Sequence, residues 1–114
     1  MAGIPKRVVG PALVATGPTT VYTVPANTRT VLRHVHVSNP SGSAVTFTLT
    51  VGADAAGTRL LGAFSIPAAA AGERESVKDF FVYLPLEATE IVQLKAGTNN
   101  ILTVTINGDV IQLS

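Results

Sequence analysis

His34 and His36 are the only imidazoles in this 114-residue sequence, and a single valine separates them. Alternate residues of a β-strand point to one face, so this spacing lets both rings reach the same metal ion. The ligand set is short of what a metal needs. A third imidazole does not exist, no cysteine can supply a thiolate, and the nearest downstream carboxylate is Asp54, across a turn and a full strand. The plainer reading is a solvent-facing or interface-facing strand surface whose valines point to the core. No metal ligand is assigned on this basis.

Other chemistries find less support. Glu73 and Glu75, with Arg74, Lys78 and Asp79, form the densest charge cluster. Glycoside hydrolysis needs two carboxylates facing each other across a cleft, and such clefts are commonly lined by aromatic rings. Tryptophan is absent, and Tyr22 and Tyr83 lie far apart in the chain. A mixed-sign cluster before a strand is normally solvated or sits at an interface rim, and on a sheet edge it discourages stray strand addition. There is no Gly-x-Ser-x-Gly elbow; Ser41-Gly42-Ser43 is turn chemistry. No glycine-rich phosphate loop is found either. No catalytic, cofactor-binding or metal-binding residue is assigned, no cofactor is expected, and the expectation is a protein that is not an enzyme.

The elements that would position these residues are strands. Hydrophobic residues make up 46% of the chain but aromatics only 5%, so Val, Ile, Leu and Ala carry the apolar content. Val, Ile and Thr are stiff at the first side-chain torsion and favour pleated structure. Turn signals at Pro25-Ala26-Asn27 and at 39–43 separate strands expected at Val21–Val24, Thr30–Ser38 and Ala44–Val51. In the second of these Val31, Val35 and Val37 share a parity. In the third, Val45, Phe47, Leu49 and Val51 alternate with Thr46, Thr48 and Thr50, which predicts one buried and one wet face. Further strands are expected at Arg59–Ile66, Ser76–Leu84, Glu90–Leu94 and Ile101–Ile106. Asn107-Gly108 then predicts a bulge or a tight hairpin turn before Val110–Leu113. This pattern predicts an all-β fold, an antiparallel β-sandwich of jelly-roll-like form with seven to eight short strands.

Residues 1–18 carry a Gly or Pro every few positions. They read as an extended N-terminal arm with one short edge strand at Ala12–Thr16, leaving 19–114 as the β-sandwich domain. Termini fray unless held, and a neighbouring chain is the economical candidate to hold this arm. Charged residues are only 13% of the chain and the formal net charge is +1. A surface so poor in charge suits contact with neighbouring subunits, and scattered basic residues do not form the stripe that nucleic acid requires. No secretory leader and no membrane-spanning segment are expected.

The phrase Thr19-Thr20-Val21-Tyr22-Thr23-Val24-Pro25-Ala26-Asn27-Thr28, followed by a Val-rich strand Val31–Asn39, resembles the opening of small β-sandwich structural proteins of tailed bacteriophages. The similarity continues through the Thr-rich strand Thr46–Thr50 and the step Leu94-Lys95-Ala96-Gly97. It closes on the segment from Asn100 to Gly108, so that it covers roughly residues 19–112. The resemblance implies a virion protein, made in the host cytoplasm, of the minor tail or capsid decoration type, with no catalytic residue to carry over. It implies as partners further copies of the chain, a trimer being the preferred order, and other virion proteins, with neither nucleic acid nor membrane.

Two alternatives belong to other classes. A carbohydrate-binding module acting in host attachment would want exposed rings, whereas Phe47, Phe64 and Phe80 or Phe81 fit core positions, so glycan is the weaker partner. A metalloenzyme similar to the cupins, a jelly-roll family that uses the His-x-His spacing, would want a Glu three or four residues after the second histidine. Asn39 and Pro40 stand there instead.

Overall fold

Strands rich in Val, Thr and Ile account for most of the computed structural model, which describes residues 3–53, 55 and 57–113. In chain order they are β1 (Ile4–Leu13), β2 (Thr19–Thr23), β3 (Thr28–Asn39) and β4 (Val45–Val51). The second half supplies β5 (Arg59–Ile66), β6 (Ser76–Leu86), β7 (Ile91–Ala96) and β8 (Thr103–Gln112). The described residues contain no helix, and therefore none long and apolar enough to cross a membrane.

Two four-stranded sheets run in the orders β1-β8-β3-β6 and β2-β7-β4-β5, with every pairing antiparallel. Early strands pair with late ones (β1 with β8, β2 with β7, β3 with β6) and β4 closes on β5, as when a long double ribbon is rolled up. This is the eight-stranded jelly roll. The fold expected from the alternation pattern is thus the fold observed.

The core lies between the sheets. Leu32, Val35 and Val37 of β3 face Phe47 and Leu49 of β4, with Val104 and Ile106 of β8, all fully buried. Each such side chain contributes roughly 1.5–3 kcal/mol on leaving water. Asn39 is also fully buried, at the end of β3. Its Nδ2 donates to the carbonyls of Ser43 (2.9 Å), Ile66 (3.2 Å) and Pro67 (3.0 Å), and its Oδ1 accepts from Ser41. One amide therefore ties the ends of both sheets to the turn between β3 and β4. At the other end of β3, Asn27 adopts the left-handed region (φ 58°), which Asn tolerates. Thr28 Oγ1 donates to the Pro25 carbonyl, and Tyr22 OH and Thr30 Oγ1 are hydrogen-bonded at 2.7 Å. The Tyr-Thr-Val-Pro-Ala-Asn-Thr phrase builds this corner.

Four local expectations change. Residues 4–13 form an edge strand hydrogen-bonded along β8 of the same chain, so no neighbour is needed to hold them, and the strand begins well upstream of Ala12. Pro5 and Pro11 are accommodated because β1 is an edge, and Gly10, at φ 77°, sits where any Cβ would strike the Val104 carbonyl.

Second, β8 runs straight through Asn107-Gly108. The irregularities there lie in its neighbours, between Leu32 and His34 of β3 and between Arg7 and Val9 of β1. Gly108 again has a reason: a Cβ would collide with the Val31 carbonyl. Third, the bulge in β3 reverses its phase. Leu32 faces the core before it and Val35 and Val37 after it, so Val31, although buried, stands outside the core cluster and does not share their face.

Finally, the threonine face of β4 is wet only at Thr46. Thr48 and Thr50 are buried, and the bulge of β5 at Ala63 (φ 47°) brings that residue's N–H to Thr48 Oγ1 at 2.9 Å.

Candidate functional site

The bulge at Arg33 is what turns His34 and His36 outward. With the extra residue in β3, Arg33 and His34 both lie on the outer side of the sheet, and His36 follows two residues on. β6 keeps a constant phase: Phe80, Val82 and Leu84 pack towards the core, while Val77, Asp79, Phe81 and Tyr83 face out. The β3–β6 register sets Asp79 directly beside His36 and Phe81 beside His34.

Asp79 Oδ1 receives hydrogen bonds from both rings, His34 Nε2 at 2.7 Å and His36 Nδ1 at 2.7 Å. An ionised carboxylate only accepts, so each imidazole presents an N–H at that nitrogen. These bonds, the one from His36 first and that from His34 second, hold the Asp79 carboxyl below its usual range, against a smaller opposing effect of burial. The three ligand atoms lie within 4.8 Å of one another, and the side chains are between a quarter and two-fifths exposed.

Packing around the trio is directional. The Phe81 ring stacks on His34, with centroids 4.8 Å apart and planes at 18°. On the far side of His34, Asn107 Nδ2 approaches Nδ1 at 3.4 Å. Arg33 lies 5.4 Å from the Tyr83 ring centroid and contacts Asp109 (3.4 Å), fixing the next ring along β6. Lys6, Arg7 and Arg33 line a shallow open groove that shares Asn107 with this cluster.

No protein-family model matches the chain, and the search of curated proteins returned no match either. The residues themselves carry the interpretation.

The histidine pair expected on one strand face is found there, but the carboxylate beside it is Asp79. Asp54 lies outside the described residues. Asp79 was visible in the sequence only as a member of the mixed-charge cluster before β6. It sits 43 residues from His36, and only the β3–β6 register brings the two together. Phe81 also departs from the core position open to it: it is 81% exposed and Tyr83 71%, while its neighbour Phe80 packs inward. Of the remaining charges in the cluster, Glu73, Arg74 and Glu75 are exposed in the β5–β6 connection, and Lys78 lies 5.4 Å from the centroid of the Phe64 ring.

Proposed function

We propose that this chain is a non-enzymatic structural subunit that assembles through protein–protein contacts on the surface of a tailed-phage virion, as a minor tail or capsid decoration protein. The observation that carries the reading is the apolar strip on the outer side of β6. Val77, Phe81 and Tyr83 stand exposed along it, with Asp79 between the first two, and Leu60 and Phe64 of β5, the matching edge of the other sheet, are exposed as well. Aromatic rings left in water at one edge of a jelly roll mark a contact surface, because they supply large contact area when covered. The low charge fraction and the phage-like phrase at 19–28 support the same reading. The fold hosts capsid, lectin and cupin-type proteins alike, so it does not choose among functions.

The contact surface is accordingly assigned to the outer side of β6 rather than to residues 1–18, of which Ile4–Leu13 belong to a sheet of their own chain. Removing residues 1–18 would strip β1 from β8 and take Val9 and Val14 out of the core cluster that holds Leu102, Val104 and Ile106, so such a deletion would test folding rather than assembly. The informative variant is Phe81→Ser with Tyr83→Ser, compared with the native chain by sedimentation and by incorporation into particles. A symmetric oligomer, a trimer by preference, should dissociate in the variant. A native chain that sediments as a monomer at its highest soluble concentration and joins no virion would end this reading.

The same two rings favour a second reading, glycan binding in host attachment, since exposed rings are what a sugar platform uses. A glycan array with no signal above background would remove it.

A further inference from the structure

We infer that His34, His36 and Asp79 form a binding site for a divalent transition-metal ion of the zinc class on the outer face of the β1-β8-β3-β6 sheet. This inference does not rest on the assembly proposed above.

Three side chains from two adjacent strands bring one ligand atom each to within 4.8 Å of the others, and the hydrogen bonds mark them as His34 Nε2, His36 Nδ1 and Asp79 Oδ1. Two imidazole nitrogens and a carboxylate oxygen are the kind of three-ligand set that holds zinc with a position left for water. Imidazole selects such ions over magnesium and calcium, which prefer oxygen alone. Ligands at ~2.0–2.1 Å in a tetrahedral arrangement stand about 3.3 Å apart. The two nitrogens now sit 2.7 Å from Oδ1, drawn in by hydrogen bonds. The two nitrogens stand up to 4.8 Å from each other. Seating an ion therefore requires the carboxylate to back away by roughly half an ångström and the imidazole nitrogens to close by up to about 1.5 Å, movements that partly exposed side chains make by turning about their own torsions.

The backbone beneath is stiff. β3 is laddered to β8 on one side and to β6 on the other, and Phe81 stacks on the His34 ring. When the metal takes Nε2 of His34 and Nδ1 of His36, each neutral ring carries its proton on its other nitrogen, and no proton is lost. His34 Nδ1–H then needs an acceptor. Asn107, whose amide already approaches that atom, supplies its Oδ1 by turning over. This is the outer partner that metal-bound histidines ordinarily have.

The test uses the full chain, freed of metal by a chelator and titrated with Zn2+ by calorimetry. Co2+ gives an independent readout, because tetrahedral coordination produces intense visible absorption. One ion per chain is expected, with no response to Mg2+ or Ca2+. His36→Ala should weaken Zn2+ binding by more than about tenfold, the lower end of what losing even an outer-shell partner costs. Asn107→Leu should weaken it by about 10–100-fold while leaving one ion per chain. Circular dichroism shows whether each variant stays folded. Absence of Zn2+ binding by the native chain would overturn the inference, as would a folded His36→Ala variant that binds as tightly as the native chain.

Discussion

Phe80 and Phe81 are neighbours in the chain and occupy opposite worlds. Phe80 meets the Phe64 ring edge-on at 5.0 Å and lies 6.5 Å from Phe47, at the margin of the core. Phe81 stands in solvent with one face on His34. The same contrast runs through the whole β3–β6 ribbon. Its inner side is mostly apolar and turned to the core, whereas its outer side gathers two imidazoles, a carboxylate and two open rings. Side-chain type does not separate the two phenylalanines; strand phase does. One side of the ribbon holds the fold together, and the other is free to do something else.

Substitutions on the two sides should therefore behave differently, and the largest effect belongs inside. Phe47→Ala empties a fully buried position and should cost about 3–5 kcal/mol, read from the urea midpoint. A loss under about 1 kcal/mol would mean that the sheets pack less closely than described. Next is Gly108→Ala, which drives a methyl into the Val31 carbonyl and should cost about 1–3 kcal/mol. Because it disturbs the β3 bulge, it should also weaken the contact between His34 and Asp79. The NMR titration of the two imidazoles would report this.

The smallest effects belong outside. His36→Ala, measured without metal, should cost no more than about 1 kcal/mol, as expected for a partly exposed ion-pair position. Phe81→Ser with Tyr83→Ser should leave chemical stability within about 0.5 kcal/mol per site, whatever it does to association. A large stability loss from that pair would erase the distinction between the two sides.

The strands were legible because alternation is a local property. Arg59–Ile66 is found at the predicted bounds, and Val45, Phe47 and Leu49 face the core as their parity requires. Residues 4–13 were harder, because Pro and Gly weaken a strand signal and only pairing with β8 makes that segment a strand. The candidate site was half legible. Two histidines on one strand face follow from their spacing, but their acidic partner depends on which distant strand lies alongside and in what register. Strict alternation would also have put Leu32 on the histidine face, since 32, 34 and 36 share a parity. Nothing short of the paired backbone discloses that one residue between them is extra. Likewise, Phe80 and Phe81 could not both point inward, and only the register decides which does.

The bulge at Arg33 works like a shift of reading frame within a strand. Every side chain after it faces the side opposite to the one an unbroken strand would give it, so His34 and His36 are displayed and Val35 and Val37 are hidden. Natural variation in such a protein can thus exchange the chemistry of a whole surface by gaining or losing a single residue upstream of it. Conversely, two chains of nearly identical composition can share this jelly roll and yet offer the outside world entirely different faces.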